Sequence, residues 1–433
     1  MQQWTDDRIA DAAPDDRSLV AGRKLGIPGP WTETGVSDTL LWGKCQGSGK
    51  TPYQVSIDLT APAYRCTCPS RKFPCKHALG LLLLWSAGGI GSGGETADFA
   101  HEWAQKRAER QAPAAAPEAE ISEAQKQQAQ QRIAARTTKM DNGVADFCLW
   151  LSDVARAGLA ETRRRDRSWW DGAAARLVDA QLPGLAERVR DIGGDLHRGL
   201  SDEELLHRVG SWWMLARAWQ RRQELAAPEV AELRIALGWP VPTADVRQGE
   251  AIEGDWLICG AHRAPFGRLM QQRTWIRNVE SGELSFTLET AGPGESLGVP
   301  QLAGSRMRAE LALYPGTAPR RVLFPDAVEW GDPGASFGEG STIAQMVATA
   351  SARMASAPWR DRHPAVLTAV RLMPGTPPGI VDAEGTAVPV TDDTDTRRML
   401  ALTGGRPADV FGEWEGGRMR LLSLVVAEEV VSL

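Results

Sequence analysis

The sequence predicts an α+β multidomain protein, with a small N-terminal ββα-like unit, a central helical domain and a C-terminal β-rich domain. Three observations carry this reading. Three of the six cysteines and one histidine fall between residues 66 and 77, directly ahead of an apolar run. Apolar residues then recur at helical spacing between 140 and 240. Beyond Pro240, Gly and Pro return at short intervals between alternating segments, as in β-rich chains. A length of 433 residues leaves room for two or three domains.

In the first unit, residues 1–90, Leu40–Gly43 and Tyr53–Leu59 read as strands joined by a turn at Gly47-Ser48-Gly49. Tyr53, Val55, Ile57 and Leu59 alternate with Gln54, Ser56 and Asp58, which predicts one buried face. Residues 78–85 form a short helix that is apolar all round and therefore buried. The glycine-rich stretch 88–94 ends the unit. Residues 91–139 read as a flexible or helical linker, polar from about Glu102 to Arg136, interrupted at 112–117 by Ala-Pro-Ala-Ala-Ala-Pro and helical in its second half.

The helical domain, 140–240, begins where Val144, Phe147, Cys148 and Leu151 take i, i+3, i+4, i+7 spacing. Leu205, Val209, Trp212, Trp213, Ala216 and Trp219 line a second face. Leu177, Leu182, Leu185 and Val189 mark a third unit broken at Pro183-Gly184. In the β-rich domain, 241–433, Trp256–Cys259, Leu284–Leu288, Met307–Leu313 and Leu421–Val426 alternate as in a barrel or sandwich.

Charge is distributed unevenly. Residues 241–433 carry 18 Lys and Arg against 24 Asp and Glu, which accounts for the whole formal net charge of −6. That balance excludes a chain that coats nucleic acid along its length. Hydrophobic residues make up 42% and charged residues 24%, which excludes a mostly disordered chain. The acidic start does not resemble a signal peptide. The longest apolar run falls far short of the roughly 20 residues of a membrane span. A cytoplasmic location with no membrane partner is the expectation.

The chemistry is concentrated in Cys66-Thr67-Cys68 and Cys75-Lys76-His77, the pattern C-x-C-x6-C-x-H. Three thiols and an imidazole are the donor set of a tetrahedral zinc site. Soft thiolates select zinc over hard cations. In extended chain, residues i and i+2 project to one side, so Cys66 and Cys68 can face one ion from a strand end. In a helix the same spacing diverges by about 200°, so Cys75 and His77 must straddle a helix start. Four donors leave no open position, so the expectation is one structural zinc, held by Cys66, Cys68, Cys75 and His77, that pins strand end to helix start.

These residues resemble the SWIM zinc finger. The segments Trp42–Gly49, Pro52–Val55 and Cys66–Leu79 are similar to bacterial SWIM proteins reading Trp-Gly-x-Cys-Gln-Gly-Ser-Gly, Pro-Tyr-x-Val and Cys-x-Cys-Pro-Ser-Arg-Lys-Phe-Pro-Cys-Lys-His-Ala-Leu. The likeness covers about residues 20–90. It implies zinc binding and a role in protein or DNA interaction. Some bacterial relatives are encoded near MoxR-type AAA ATPases and von Willebrand A proteins, which implies a partner system of that kind.

Other features have a plain reading beside a sharper one. Lys44, Lys50, Arg65, Arg71, Lys72 and Lys76 stand against the single acid Asp58 between residues 44 and 77. Arg71, Lys72 and Lys76 read equally as nucleic-acid contacts and as compensation for the −1 charge of zinc with three thiolates. Gly47–Thr51 is a hairpin turn rather than a phosphate loop, because Lys44 stands where that motif needs Gly. Cys45 reads as a strand-end residue, Cys148 and Cys259 as core thiols. Of Trp169-Trp170 and Trp212-Trp213, at least one member each belongs to the core, and Arg163–Arg165 to a solvated helix end. Asp392, Asp393 and Asp395 form an acidic loop. The remaining histidines share no ligand spacing. No catalytic motif stands in a fitting context, so the expectation is a non-enzymatic interaction module. The alternatives are a DNA or RNA binder using the basic finger surface, and an enzyme with an unrecognised site in residues 241–433.

Overall fold

The structure is a computed structural model and describes residues 4–14, 16–47, 49, 51–59, 63–70, 74–91, 96–111, 123–266, 269–292, 297, 301–325 and 328–433. The N-terminal unit is layered. Helices α1 (Asp6–Ala12) and α2 (Asp16–Arg23) precede an antiparallel sheet in the order β1 (Trp31–Val36), β2 (Leu40–Cys45), β3 (Tyr53–Asp58) and β4 (Ala63–Cys66). The sheet thus has two strands beyond the predicted pair. Trp31 with its Thr and Glu neighbours, and the four-residue β4, are too short or too polar to show period-two alternation.

Helix α3 (Lys76–Ser86) follows β4 and is buried from His77 to Leu84, as its all-apolar sequence predicts. It lies between the sheet and the two N-terminal helices. Gly80 permits the close approach of the end of α2 and the turn after it, since a Cβ there would meet the Gly22 carbonyl at 3.2 Å and Leu25 Cβ at 2.6 Å. The other face of the sheet is covered as well. Helix α4 (Asp98–Gln111) sets Phe99, Ala100, Trp103 and Ala104 against Leu40 and Trp42. Ser56 is consequently buried despite its place on the polar face of β3.

The central region holds α5 (Glu123–Ala157), α6 (Leu159–Arg163), α7 (Arg167–Asp179), α8 (Pro183–His197), α9 (Asp202–Gln220) and α10 (Ala227–Ala236). From Met140 onward, α5 buries Met140, Val144, Phe147, Cys148 and Leu151. Pro183 begins α8 rather than breaking it, because a first-turn Pro lacks only a donor that would be unpaired anyway. Asp166 caps α7, and Ser201 with Glu204 forms a capping box on α9. Trp170 and Trp212 are buried, whereas Trp169 and Trp213 are not.

After α11 (Thr243–Arg247), the chain enters two six-stranded sheets. The first contains β5 (Ala251–Phe266), β6 (Leu269–Asn278), β7 (Leu284–Ala291), β8 (Arg306–Ala312), β9 (Arg320–Arg321) and β10 (Glu329–Trp330), in the order β10-β8-β5-β6-β7-β9. Helix α12 (Ile343–Ser356) leads to the second sheet. That sheet has the order β13-β12-β11-β14-β15-β16, from β11 (His363–Met373), β12 (Gly379–Val381), β13 (Ala387–Pro389), β14 (Ala408–Glu415), β15 (Arg418–Val426) and β16 (Glu429–Ser432), with α13 (Thr396–Thr403) between β13 and β14. Leu257, Cys259 and Trp275 of the first sheet meet Val366, Phe411 and Leu422 of the second in a shared core.

Residues 357–361 tie the helical region to this domain, and so does Glu232 of α10, whose Oε2 accepts from Thr317 Oγ1 at 2.6 Å. Ala357 and Trp359 belong to the hydrophobic core of the helices. Arg188 donates to Asp361 at 2.7 Å, and Ser211 to the Pro358 carbonyl at 3.2 Å. Nothing local in residues 357–361 announces this role.

Candidate metal centre

The site forms where β4 ends and α3 begins. The register Val55↔Cys66 and Ile57↔Tyr64 places Cys66 on the sheet face that carries α3. Cys68 lies two residues on. Cys75 has extended backbone (φ −74°, ψ 167°) and caps α3, so His77 is in the first turn. The spacing rule is obeyed on both sides, because the first pair leaves a strand and the second straddles a helix start.

The donor atoms of Cys66, Cys68, Cys75 and His77 all lie within 4.8 Å of one another. Cys66 Sγ is 3.7 Å and Cys75 Sγ 3.9 Å from His77 Nδ1. A tetrahedron with Zn–S of about 2.3 Å and Zn–N of about 2.05 Å has S···N edges of roughly 3.6 Å. The residues therefore fit zinc, bound through Nδ1. Cys75 and His77 are buried and Cys66 and Cys68 half-buried, so the centre is covered without being sealed. The Tyr53 ring stands 4.8 Å from the His77 ring and limits its orientation.

The electrostatics show why a cation belongs here. Hydrogen bonds from Cys66 and Cys75 hold the Cys68 thiol far down, whereas the bond to Cys68 pushes Cys66 far up. At Cys75 the bond with Cys66 pulls down, but the bond with Cys68 and burial win, at about 11. Crowding and burial thus oppose ionisation of Cys66 and Cys75. Only a bound cation lets all three ionise. The four donors hold one structural zinc ion.

Cys45 is outside this donor set. It is fully buried, with its thiol pushed up by burial and its Sγ 3.9 Å from the Gln46 carbonyl. Cys148 and Cys259 are core residues, the latter pushed up to about 12 by burial. Lys44 and Arg65 project from the opposite sheet face, since Arg65 pairs with Ser56 and Lys44 with Gln54. Lys44 is held by Glu33 at 2.7 Å. Lys76 is exposed next to the ligands. Lys50, Arg71 and Lys72 lie outside the described residues. The described members of the basic cluster are therefore divided, Lys44 and Arg65 on one face of the sheet and Lys76 beside the ligands.

The remaining charged motifs have structural partners. Arg163 donates to Asp202 and to the Leu200 carbonyl, while Arg164 and Arg165 pair with Glu161. Asp392 and Asp393 pair with Arg418 and Arg420, and Asp395 caps α13.

A family model of the SWIM zinc finger matches residues 53–85, and one described as a SWIM-associated four-helix bundle domain matches residues 135–237. No curated protein matches the chain, and neither does any solved structure. The matched segments coincide with the zinc centre and with the helices α5 to α10. No helix among the described residues is long and apolar enough to cross a membrane.

Proposed function

We propose that this zinc-binding SWIM protein is a non-enzymatic interaction module, in which zinc stabilises the finger and the helical bundle engages a protein partner. The observation that carries the reading is an exposed apolar stripe on α9. Leu206 is 60%, Trp213 38% and Met214 49% exposed, on one side of a helix whose other side is bundle core. Exposed aromatic and long aliphatic side chains grouped on a rigid helix are the composition of interface anchors. Zinc with four protein donors has no position for substrate or water, which supports a structural rather than a catalytic ion. A MoxR-type ATPase is the partner class that the resemblance implies.

Nucleic-acid binding is the alternative. It draws on Lys76 together with Arg71 and Lys72, and it loses Lys44 and Arg65 to the other face of the sheet. One experiment separates the two. The full chain is used as bait in its own host's extract, with and without nuclease, beside a Trp213→Ala variant. A nuclease-resistant partner lost with Trp213→Ala supports the module. Retention that vanishes with nuclease and is indifferent to Trp213 refutes it.

A further inference from the structure

A cleft of about 300 Å³ opens in the C-terminal domain where both sheets meet α12. It brings together Arg277 of β6, Arg353 of α12 and His363 at the start of β11. These residues are far apart in sequence and belong to no motif. His363 is 3% exposed, yet its Nε2 has no hydrogen-bond partner. Its ring is oriented by a hydrogen bond with the Arg360 backbone. A buried polar atom without a partner costs stability unless a ligand satisfies it.

The other walls are cationic. Arg353 makes no ion pair among the described residues, and burial together with the Arg360 charge holds its pKa below the usual range. Arg277 donates to the Phe337 carbonyl and likewise has no acidic partner among the described residues. Its guanidinium runs against Gly282 (φ +72°), where a Cβ would come within 2.9 Å of Nη2. Glu339 is the one acid on the cleft lining, and it is exposed. Two guanidinium groups without counterions therefore share a cleft with an imidazole nitrogen that lacks a donor.

We propose that this cleft binds the phosphate group of a small ligand, with Arg277 and Arg353 on its oxygens and His363 Nε2 accepting from its P–OH. Guanidinium donors match phosphate oxygens in charge and geometry. Burial, with Arg353 and Arg360 beside it, pushes the His363 pKa down to about 4, so the ring is neutral at physiological pH and accepts a proton donor. Monoprotonated phosphate offers that donor. Sulfate has the same tetrahedral shape and no less charge, but no such donor, and would leave Nε2 unpaired.

The test is calorimetric titration of the zinc-loaded full chain near pH 6, close to the second pKa of about 6 of a phosphate monoester, so that the ester as well as inorganic phosphate offers a P–OH, with inorganic phosphate, glycerol 3-phosphate and sulfate as titrants. One site per chain is expected, with sulfate weaker by at least about tenfold. Arg353→Gln and Arg277→Gln should each weaken phosphate binding by at least about tenfold while the ligand-free melting temperature of Arg353→Gln stays at the wild-type value. Tighter binding of the ester assigns a small phosphorylated metabolite, and the reverse order assigns free phosphate; either supports the site. Absence of heat from both up to about 10 mM, undiminished binding by Arg353→Gln, or sulfate equal to phosphate overturns it.

Discussion

Glu232 belongs to α10, but its carboxylate serves the C-terminal domain. Oε1 accepts from Trp359 Nε1 at 3.0 Å and from Arg360 Nε, and Oε2 accepts from Arg360 Nη2 at 2.7 Å and Thr317 Oγ1 at 2.6 Å. Glu232→Ala would leave a guanidinium, an indole N–H and a hydroxyl without their acceptor at a junction where the side chains of both charged partners are only 14% exposed. Removing one member of a buried ion pair costs about 3–5 kcal/mol. Arg360 keeps the Thr317, Ala318 and Pro319 carbonyls, so the lower end, about 3 kcal/mol, is expected. At about 2–4 °C per kcal/mol, differential scanning calorimetry should show a fall of roughly 6–12 °C. Because Trp359 lies in the bundle core, the helical region and the C-terminal domain should melt in one transition. A fall of under about 2 °C, or two separate transitions for these regions in the wild type, would show that Glu232 does not couple them. Burial pushes the Glu232 carboxyl up, but the hydrogen bond and charge of Arg360 outweigh it and hold the group below the usual range. Its stabilisation is therefore complete above the unfolded-state value of about 4.3 and is lost as pH falls through the folded value, so the gap between wild type and variant should narrow in acid.

Two other outcomes follow from buried groups. His363 is neutral with a pKa of about 4, against about 6.5 unfolded, so the unfolded chain takes up the proton first. Stability should be full above about pH 6.5 and fall by roughly 3 kcal/mol toward pH 4, and His363→Gln should flatten that part of the curve of melting temperature against pH in phosphate-free buffer. Removal of zinc with a strong chelator should raise amide hydrogen exchange in Lys76–Ser86 while Asp202–Gln220 of the bundle stays protected, since the ion ties only β4 to α3. Equal loosening of both helices would contradict that.

What the linear sequence reveals depends on how local the physics is. The metal ligands are legible because a two-residue spacing has one meaning at a strand end and another at a helix start, and Cys66, Cys68, Cys75 and His77 obey both. The buried helix is legible because its leucines occupy every side. Helix α4 falls in the segment that reads as a linker, because Phe99, Ala100, Trp103 and Ala104 form a face only when Leu40 and Trp42 are opposite. The basic cluster misleads for a related reason. Lys44 and Arg65 are close to the cysteines in sequence, but strand alternation turns them to the far side. Trp359 in the bundle core is set by contacts more than a hundred residues distant, and the cleft around His363 by walls that include Arg277 of the other sheet, which no periodicity encodes. The only signal for His363 would have been a histidine opening an apolar strand.

Four side chains, Cys66, Cys68, Cys75 and His77, close the shell of one structural zinc. The most direct test is the metal content of the purified full chain in its wild-type, Cys75→Ser and Cys45→Ser forms. One zinc per chain in the wild type and in Cys45→Ser, with loss in Cys75→Ser, is the expected result. Zinc retained at one per chain in Cys75→Ser, or lost in Cys45→Ser, would contradict it.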